Sequence, residues 1–411
     1  MKGYSDQSMI GKAEKYIRFL SVSIKDRSVG SRGNIRAVDF FEKKLKKSGW
    51  STSKKKFTAL DWDTNGARAV CGGKYFKVYP APYSNGCKIK GELVAAENMK
   101  ELSGVDARGK ILLLYGKIAS QQLMPKNFTF YNPEDSRKTV SLLEKSRAGA
   151  IICATGRNAS LAGGVYPFPL IEDGDFDISS VYMTESEGRR LLKKEGQVAE
   201  VISDSKRITS KAYNVTGVMK GQKKTKIVIS AHIDAKKGSP GAIDNAAGVG
   251  VAVLLLLAES LRDSSLKESV ELVAFNGEDY YSVPGQMLYI KENKGRFDKV
   301  AVNINIDGAG FKRGGSVLSF FGLPAEIKKK AKQTLRNYPF LSEGPQWPQG
   351  DHSIFVQNGR PAIAVTSKWF LDNISTQTIT HTPKDNFSIV SPAKTAELAA
   401  ALDFLVRRIG E

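Results

Sequence analysis

The chain has 411 residues, 41% hydrophobic and 25% charged, enough for two or three globular domains of roughly 100–200 residues each. Lys and Arg outnumber Asp and Glu by 62 to 42, a formal net charge of +20. These values exclude a disordered tail, a collagen-like repeat and a small disulfide-stapled scaffold.

The stretch from Ile10 to Trp50 carries helical periodicity in two pieces, broken around Ser28–Asn34 by Ser and Gly. It belongs to a basic opening: residues 1–60 hold fifteen Lys/Arg against five Asp/Glu, with Lys43-Lys44, Lys46-Lys47 and Lys54-Lys55-Lys56. No aromatic or base-reading groups interleave with these lysines on a recognisable module. They read as a solvated helix face, and no nucleic-acid partner is expected. Near the N-terminus no apolar run is followed by small residues, so no signal peptide is expected. The longest stretch free of polar residues, Ala246–Ala258, has thirteen residues, short of the ~20 that span a bilayer, so no membrane partner is expected. Cys71, Cys87 and Cys153 show no short paired spacing, which predicts reduced thiols and a cytoplasmic location.

After Phe57 the pattern changes to short apolar runs: Ala69–Cys71, Phe76–Val78, Lys110–Tyr115 and Ala148–Cys153, with a helix over Pro133–Ala148. Residues 70–210 thus read as a β-rich lobe set between an N-terminal helical part, 1–69, and a C-terminal part, 211–411. In the latter, Lys226–Ala231 reads as a buried strand, Asn245–Leu261 as a helix, and Ser269–Phe275, Val300–Ile306 and Pro361–Ser367 as further strands. Ala393–Ile409 reads as a closing helix. The alternation predicts an α/β fold, a mixed and largely parallel central sheet flanked by helices.

Ligands in such sheets bind beyond the carboxyl ends of the strands. There the sequence places His232-Ile233-Asp234, Gly241-Ala242-Ile243-Asp244-Asn245, Glu278-Asp279, Asp307, Asp351-His352 and His381-Thr382-Pro383. A single Asp at a strand end is usually a cap. Yet the chain has only 3 histidines, and all of them fall in these loops. Imidazole nitrogen with carboxylate oxygen suits zinc and related divalent ions. Two histidines with three carboxylates exceed one tetrahedral site and suit a pair of ions with a bridging carboxylate.

The set His232-x-Asp234, Gly241-Ala242-x-Asp244-Asn245, Glu278-Asp279, Asp307 and His381-Thr382-Pro383-x-Asp385 resembles the co-catalytic zinc exopeptidases, the family of aminopeptidase Y, bacterial leucyl aminopeptidases and glutamate carboxypeptidase II. The resemblance covers about 215–411 strongly and the N-terminal helices weakly. It implies a zinc-exopeptidase fold and two divalent ions, with Asp244 bridging, His232 and Asp307 completing one site, and Asp279 and His381 completing the other. It implies Glu278 as general base, activating a metal-bridged water, and Asp234 as the partner of the far ring nitrogen of His232. Many relatives have Glu-Glu at Glu278-Asp279; the shorter Asp279 predicts a second site that binds its metal differently or more weakly.

Asp351-His352-Ser353-Ile354-Phe355 also resembles a family segment near the cleft. Either His352 donates a hydrogen bond to the tetrahedral intermediate, or Asp351 caps a short helix and His352 is a wall residue. The 70–210 lobe resembles the protease-associated domain inserted in such peptidases, through Gly109–Leu113, Ala148–Ile152 and Tyr182–Thr184. In relatives this domain covers the cleft. The implied activity is a metallo-aminopeptidase acting on peptides. A zinc carboxypeptidase and a single-zinc glutaminyl cyclase-like acyltransferase are the alternatives, followed by a non-catalytic binding relative. Metal stoichiometry and released products separate them.

Overall fold

The computed structural model describes residues 7–157, 163–244, 249–347 and 349–411. The chain divides into two compact units. One comprises Met1–Ala59, Lys211–Ile374 and Ile379–Glu411; the other comprises Leu60–Ser210 with Ser375–Thr378.

In the first unit the strands run in the order Leu341–Glu343, Ser316–Phe321, Ala362–Ser367, Val300–Ile306, Lys226–His232, Ser269–Phe275 and the end of Val198–Met219. Ala362–Ser367, Val300–Ile306, Lys226–His232 and Ser269–Phe275 are mutually parallel; the flanking pairings to Ser316–Phe321 and Val198–Met219 are antiparallel. This is the mixed, largely parallel sheet expected. Its centre is apolar because both faces are covered: every residue of Ile227–His232 is buried.

Helix Val249–Ser260 is apolar on all sides and buried throughout Val249–Ala258, as an interior helix should be. It packs against helices Pro392–Gly410 and Gln7–Arg18. The sequence begins this helix at Asn245; residues 245–248 lie outside those described. Helix Arg32–Lys47 buries Asn34, Ala37, Val38, Phe41 and Leu45, a spacing that leaves the lysine run on the opposite face. Among the described residues no helix is long and apolar enough to cross a membrane.

In the second unit, Cys87–Ala96, Ile111–Leu114, Ala150–Thr155 and Ser180–Thr184 form consecutive parallel pairs, with Tyr79–Pro80 antiparallel at the edge. Helix Glu134–Ser146 falls where the periodicity places it. The apolar run Ala69–Cys71 is only the end of a longer strand, Ser51–Cys71. Val198–Met219 is comparably long. Both carry many polar, partly exposed positions, so neither presents the apolar run that marks an interior strand.

Candidate metal centre

From strand Lys226–His232 the chain passes first to the neighbour on one side, Ser269–Phe275, and then to the neighbour on the other, Val300–Ile306. Loops leaving this central strand and its neighbours therefore diverge at its carboxyl end, the crevice where α/β sheets bind ligands. His232 is the last residue of the central strand, and Asp307 directly follows Val300–Ile306. Glu278 and Asp279 follow Ser269–Phe275 after Asn276 and Gly277. Asp244 lies on the loop leaving the central strand, and His381 on the segment after helix Lys368–Asn373.

Two groups result. Ligand atoms of His232, Asp244 and Asp307 lie within 4.8 Å of one another, and so do those of Asp244, Asp279 and His381. Asp244 belongs to both. Its Oδ1 is 3.9 Å from His232 Nε2, and its Oδ2 is 3.1 Å from His381 Nε2. Asp279 Oδ1 reaches to 2.9 Å from His381 Nε2, so the shorter side chain still meets its imidazole. Glu278 Oε2 stands at the rim, 4.0 Å from His232 Nε2. His381 has a left-handed backbone, φ 61°, a strained conformation for a non-glycine residue of the kind that collects at functional sites.

The donor set fits divalent cations. His232 is 1% exposed, and among the described residues neither of its ring nitrogens has a hydrogen-bond partner, nor does the buried Asp279 Oδ2. Leaving such groups unpaired is costly; a cation in each cluster would satisfy His232 Nε2 and the Asp279 carboxylate, while His232 Nδ1 turns to Asp234. Burial raises the carboxyl of Asp307 to about 8, with Asp244, Asp351 and Asp279 adding and His232 opposing. Burial likewise lifts Glu278 well above the ordinary range, opposed by His232 and reinforced by Asp279, Asp307 and Asp351. For Asp244 burial acts upward too, but His381 and His232 outweigh it and hold the carboxyl low. Negative charge is thus concentrated where cations would neutralise it.

Further residues hold the loops, mostly through backbone groups. Asp234 is fully buried: its Oδ1 accepts from the N–H of Gly277 at 2.7 Å and its Oδ2 from that of Asp279 at 3.0 Å. It thereby shapes the turn that carries Glu278. Its Oδ1 lies 3.5 Å from His232 Nδ1, a looser approach than the hydrogen bond expected from the sequence. Asp385 Oδ1 accepts from Ile243 N–H at 2.7 Å and Oδ2 from Asp244 N–H at 2.9 Å. Asn34 and Asn276 exchange amide hydrogen bonds of 2.8 and 2.9 Å, tying the start of helix Arg32–Lys47 to the residue before Gly277. Sequence reasoning missed the Asn34–Asn276 pair, because an amide in an N-terminal helix carries no motif.

His352 lies beside this centre. A Cβ on Gly350 would come 3.2 Å from Asp307 Oδ2 and 3.4 Å from His352 Nδ1, so the two residues border the same small space. His352 Nε2 is 3.0 Å from the Trp347 carbonyl oxygen, which can only accept; Nε2 therefore carries the proton and Nδ1 is a bare acceptor. Burial lowers its pKa to about 4, so the ring is neutral, packed against Phe321 and Trp347 at ring separations of 4.7 and 4.9 Å. This state does not supply a donor toward Asp307. Asp351 makes no side-chain cap for helix His352–Gln357; its Oδ1 accepts instead from Gln286 Nε2 at 2.9 Å. His352→Phe is expected to lower the melting temperature by leaving the Trp347 carbonyl unpaired, a cost of about 1–3 kcal/mol, with zinc content unchanged. Thermal denaturation checks this, and an unaltered melting temperature with lost turnover would restore the donor role.

Residues 214–405 match peptidase family M28. No curated protein sequence matches the chain. Among solved structures, an aminopeptidase from Aneurinibacillus sp. strain AM-1 is similar at a TM-score of 0.74 and 21% identity, over 97% of this chain and 93% of that one. A zinc aminopeptidase from Bacillus subtilis gives a TM-score of 0.73 at 20% identity, over 97% and 94%. A glutaminyl cyclase from Porphyromonas gingivalis shares the fold more distantly, at 0.51 and 13% over 97% of each chain. The part of the chain that carries both clusters thus falls within the segment that matches peptidase family M28.

Proposed function

We propose that the chain is a two-zinc aminopeptidase that removes residues from the free N-terminus of peptides. The observation that carries this reading is the pair of three-residue clusters sharing Asp244, with Glu278 at their rim. His232, Asp244 and Asp307 would hold one ion; Asp244, Asp279 and His381 would hold the other. Such ions, when bound, polarise a peptide carbonyl and acidify water.

Glu278 takes a proton from the attacking water and returns it to the departing amine. The upward push on its carboxyl, from burial and from Asp279, Asp307 and Asp351, suits a group that must both accept and give a proton near neutral pH. Asp234 keeps Glu278 in place through the backbone of residues 277–279. The family match, together with the aminopeptidases among the similar structures, supports the aminopeptidase over the carboxypeptidase.

We further read residues 70–210 as an inserted protease-associated-like lobe, and the three free cysteines as the mark of a reducing, cytoplasmic setting.

Chromogenic aminoacyl anilides supplied with zinc, cobalt or manganese test the activity. Hydrolysis is expected for free amino termini and not for acetylated ones, lost on chelation and restored by zinc. Release of C-terminal residues alone would favour the carboxypeptidase, and cyclisation of N-terminal glutamine without free amino acid would favour the acyltransferase.

A further inference from the structure

We infer that Arg27 is a positioning residue for this centre: its guanidinium grips the backbone of the loop carrying Asp244 and so aims the shared carboxylate at both clusters. The inference rests on the two-ion reading above.

Arg27 is 1% exposed, among the largest fully buried side chains of the molecule. Its donors go to backbone carbonyls. Nη1 donates to Leu20 at 2.7 Å and to Pro240 at 2.6 Å, Nη2 to Gly241 at 3.1 Å, and Nε approaches Ile233 at 3.4 Å. One planar fork thus joins the end of the first helical segment, the exit of the central strand and the turn just before Asp244. From the other side, Asp385 takes the N–H groups of Ile243 and Asp244. The loop is held by its carbonyls at one end and its amides at the other, with no slack before Asp244.

Arg27 is itself seated, its carbonyl accepting from Asn34 Nδ2 at 3.1 Å. Gly241 leaves room for the guanidinium: its φ is +59°, and a Cβ there would come 2.6 Å from Arg27 Nη2. An apolar side chain could fill such a space without the desolvation cost of a charge. The cation is placed where it faces Asp385, Asp234 and Asp279, behind the two clusters. A lysine keeps the charge but has no rigid fork to span these carbonyls, so charge and fork can be separated by substitution.

The test uses the full chain with Arg27→Lys, Arg27→Met and Gly241→Ala. Leu405→Ala, in the fully buried core of helix Pro392–Gly410, serves as a control that loses stability away from the centre. Zinc equivalents and affinity are measured by chelator competition, alongside melting temperature and hydrolysis of an aminoacyl anilide. Arg27→Lys is expected to fold and to weaken zinc binding about 10–100-fold, as loss of an outer partner does, with both equivalents weakened together. Gly241→Ala should do the same by displacing the guanidinium, while Leu405→Ala keeps wild-type affinity despite its lower melting temperature. Wild-type affinity in the folded Arg27 variants would overturn the inference. So would loss of zinc in Leu405→Ala in step with melting temperature, or failure of all three site variants to fold, since each marks a role in the fold alone. Zinc bound by the wild type without hydrolysis would overturn the peptidase reading and leave this inference standing; a wild type that binds no zinc would remove both.

Discussion

Glu278→Gln is expected to lower kcat by about 10²–10⁴-fold while leaving zinc content and melting temperature at wild-type values. The substitution keeps shape and removes only the capacity to take up a proton. Glu278 belongs to neither three-residue cluster, so the ions keep their ligands. Its side chain is 25% exposed, and it sits among carboxylates that already repel it, so losing its charge costs the fold little. Turnover of the purified variant with elemental analysis of the same sample checks this, and near-wild-type turnover would remove Glu278 from the reaction.

Asp244→Ala is expected to lose both zinc equivalents and to bring hydrolysis down to background. Asp244 is the sole member common to the two clusters, and its oxygens divide between them, Oδ1 toward His232 and Oδ2 toward His381. Removing it takes a charged donor from each ion at once and leaves Asp307 and Glu278 facing each other without a neutralising cation. Asp279→Ala touches one cluster and should cost one equivalent. Zinc per chain after gel filtration distinguishes them: equal losses in the two variants would contradict the sharing.

The sheet and the side chains gathered in the two clusters were legible because both leave strong traces in composition. Ser269–Phe275 and Val300–Ile306 have the boundaries the sequence marks, and histidines grouped with carboxylates after the strands already point to a metal. The long strands Ser51–Cys71 and Val198–Met219 left weaker traces, since half-polar positions carry no run to read. Ser316–Phe321 and helix Ala325–Asn337 went unread for want of a site residue to draw attention to them. The scaffolding of the centre was the least legible part. Arg27 and the paired Asn34 and Asn276 act on backbone groups or on each other across the chain, and a backbone carbonyl has no letter in a sequence. His352 shows the converse: its motif drew a chemical role, and the protonation imposed by the Trp347 carbonyl turned its free nitrogen into an acceptor.

The turn before Asp244 is gripped by Arg27 from far upstream in the chain and by Asp385 from far downstream. On a translating ribosome, His381 and Asp385 emerge after every other residue of the two clusters, so the centre cannot assemble before them. Competence arrives only after both are made, and a chain still lacking them has no complete centre.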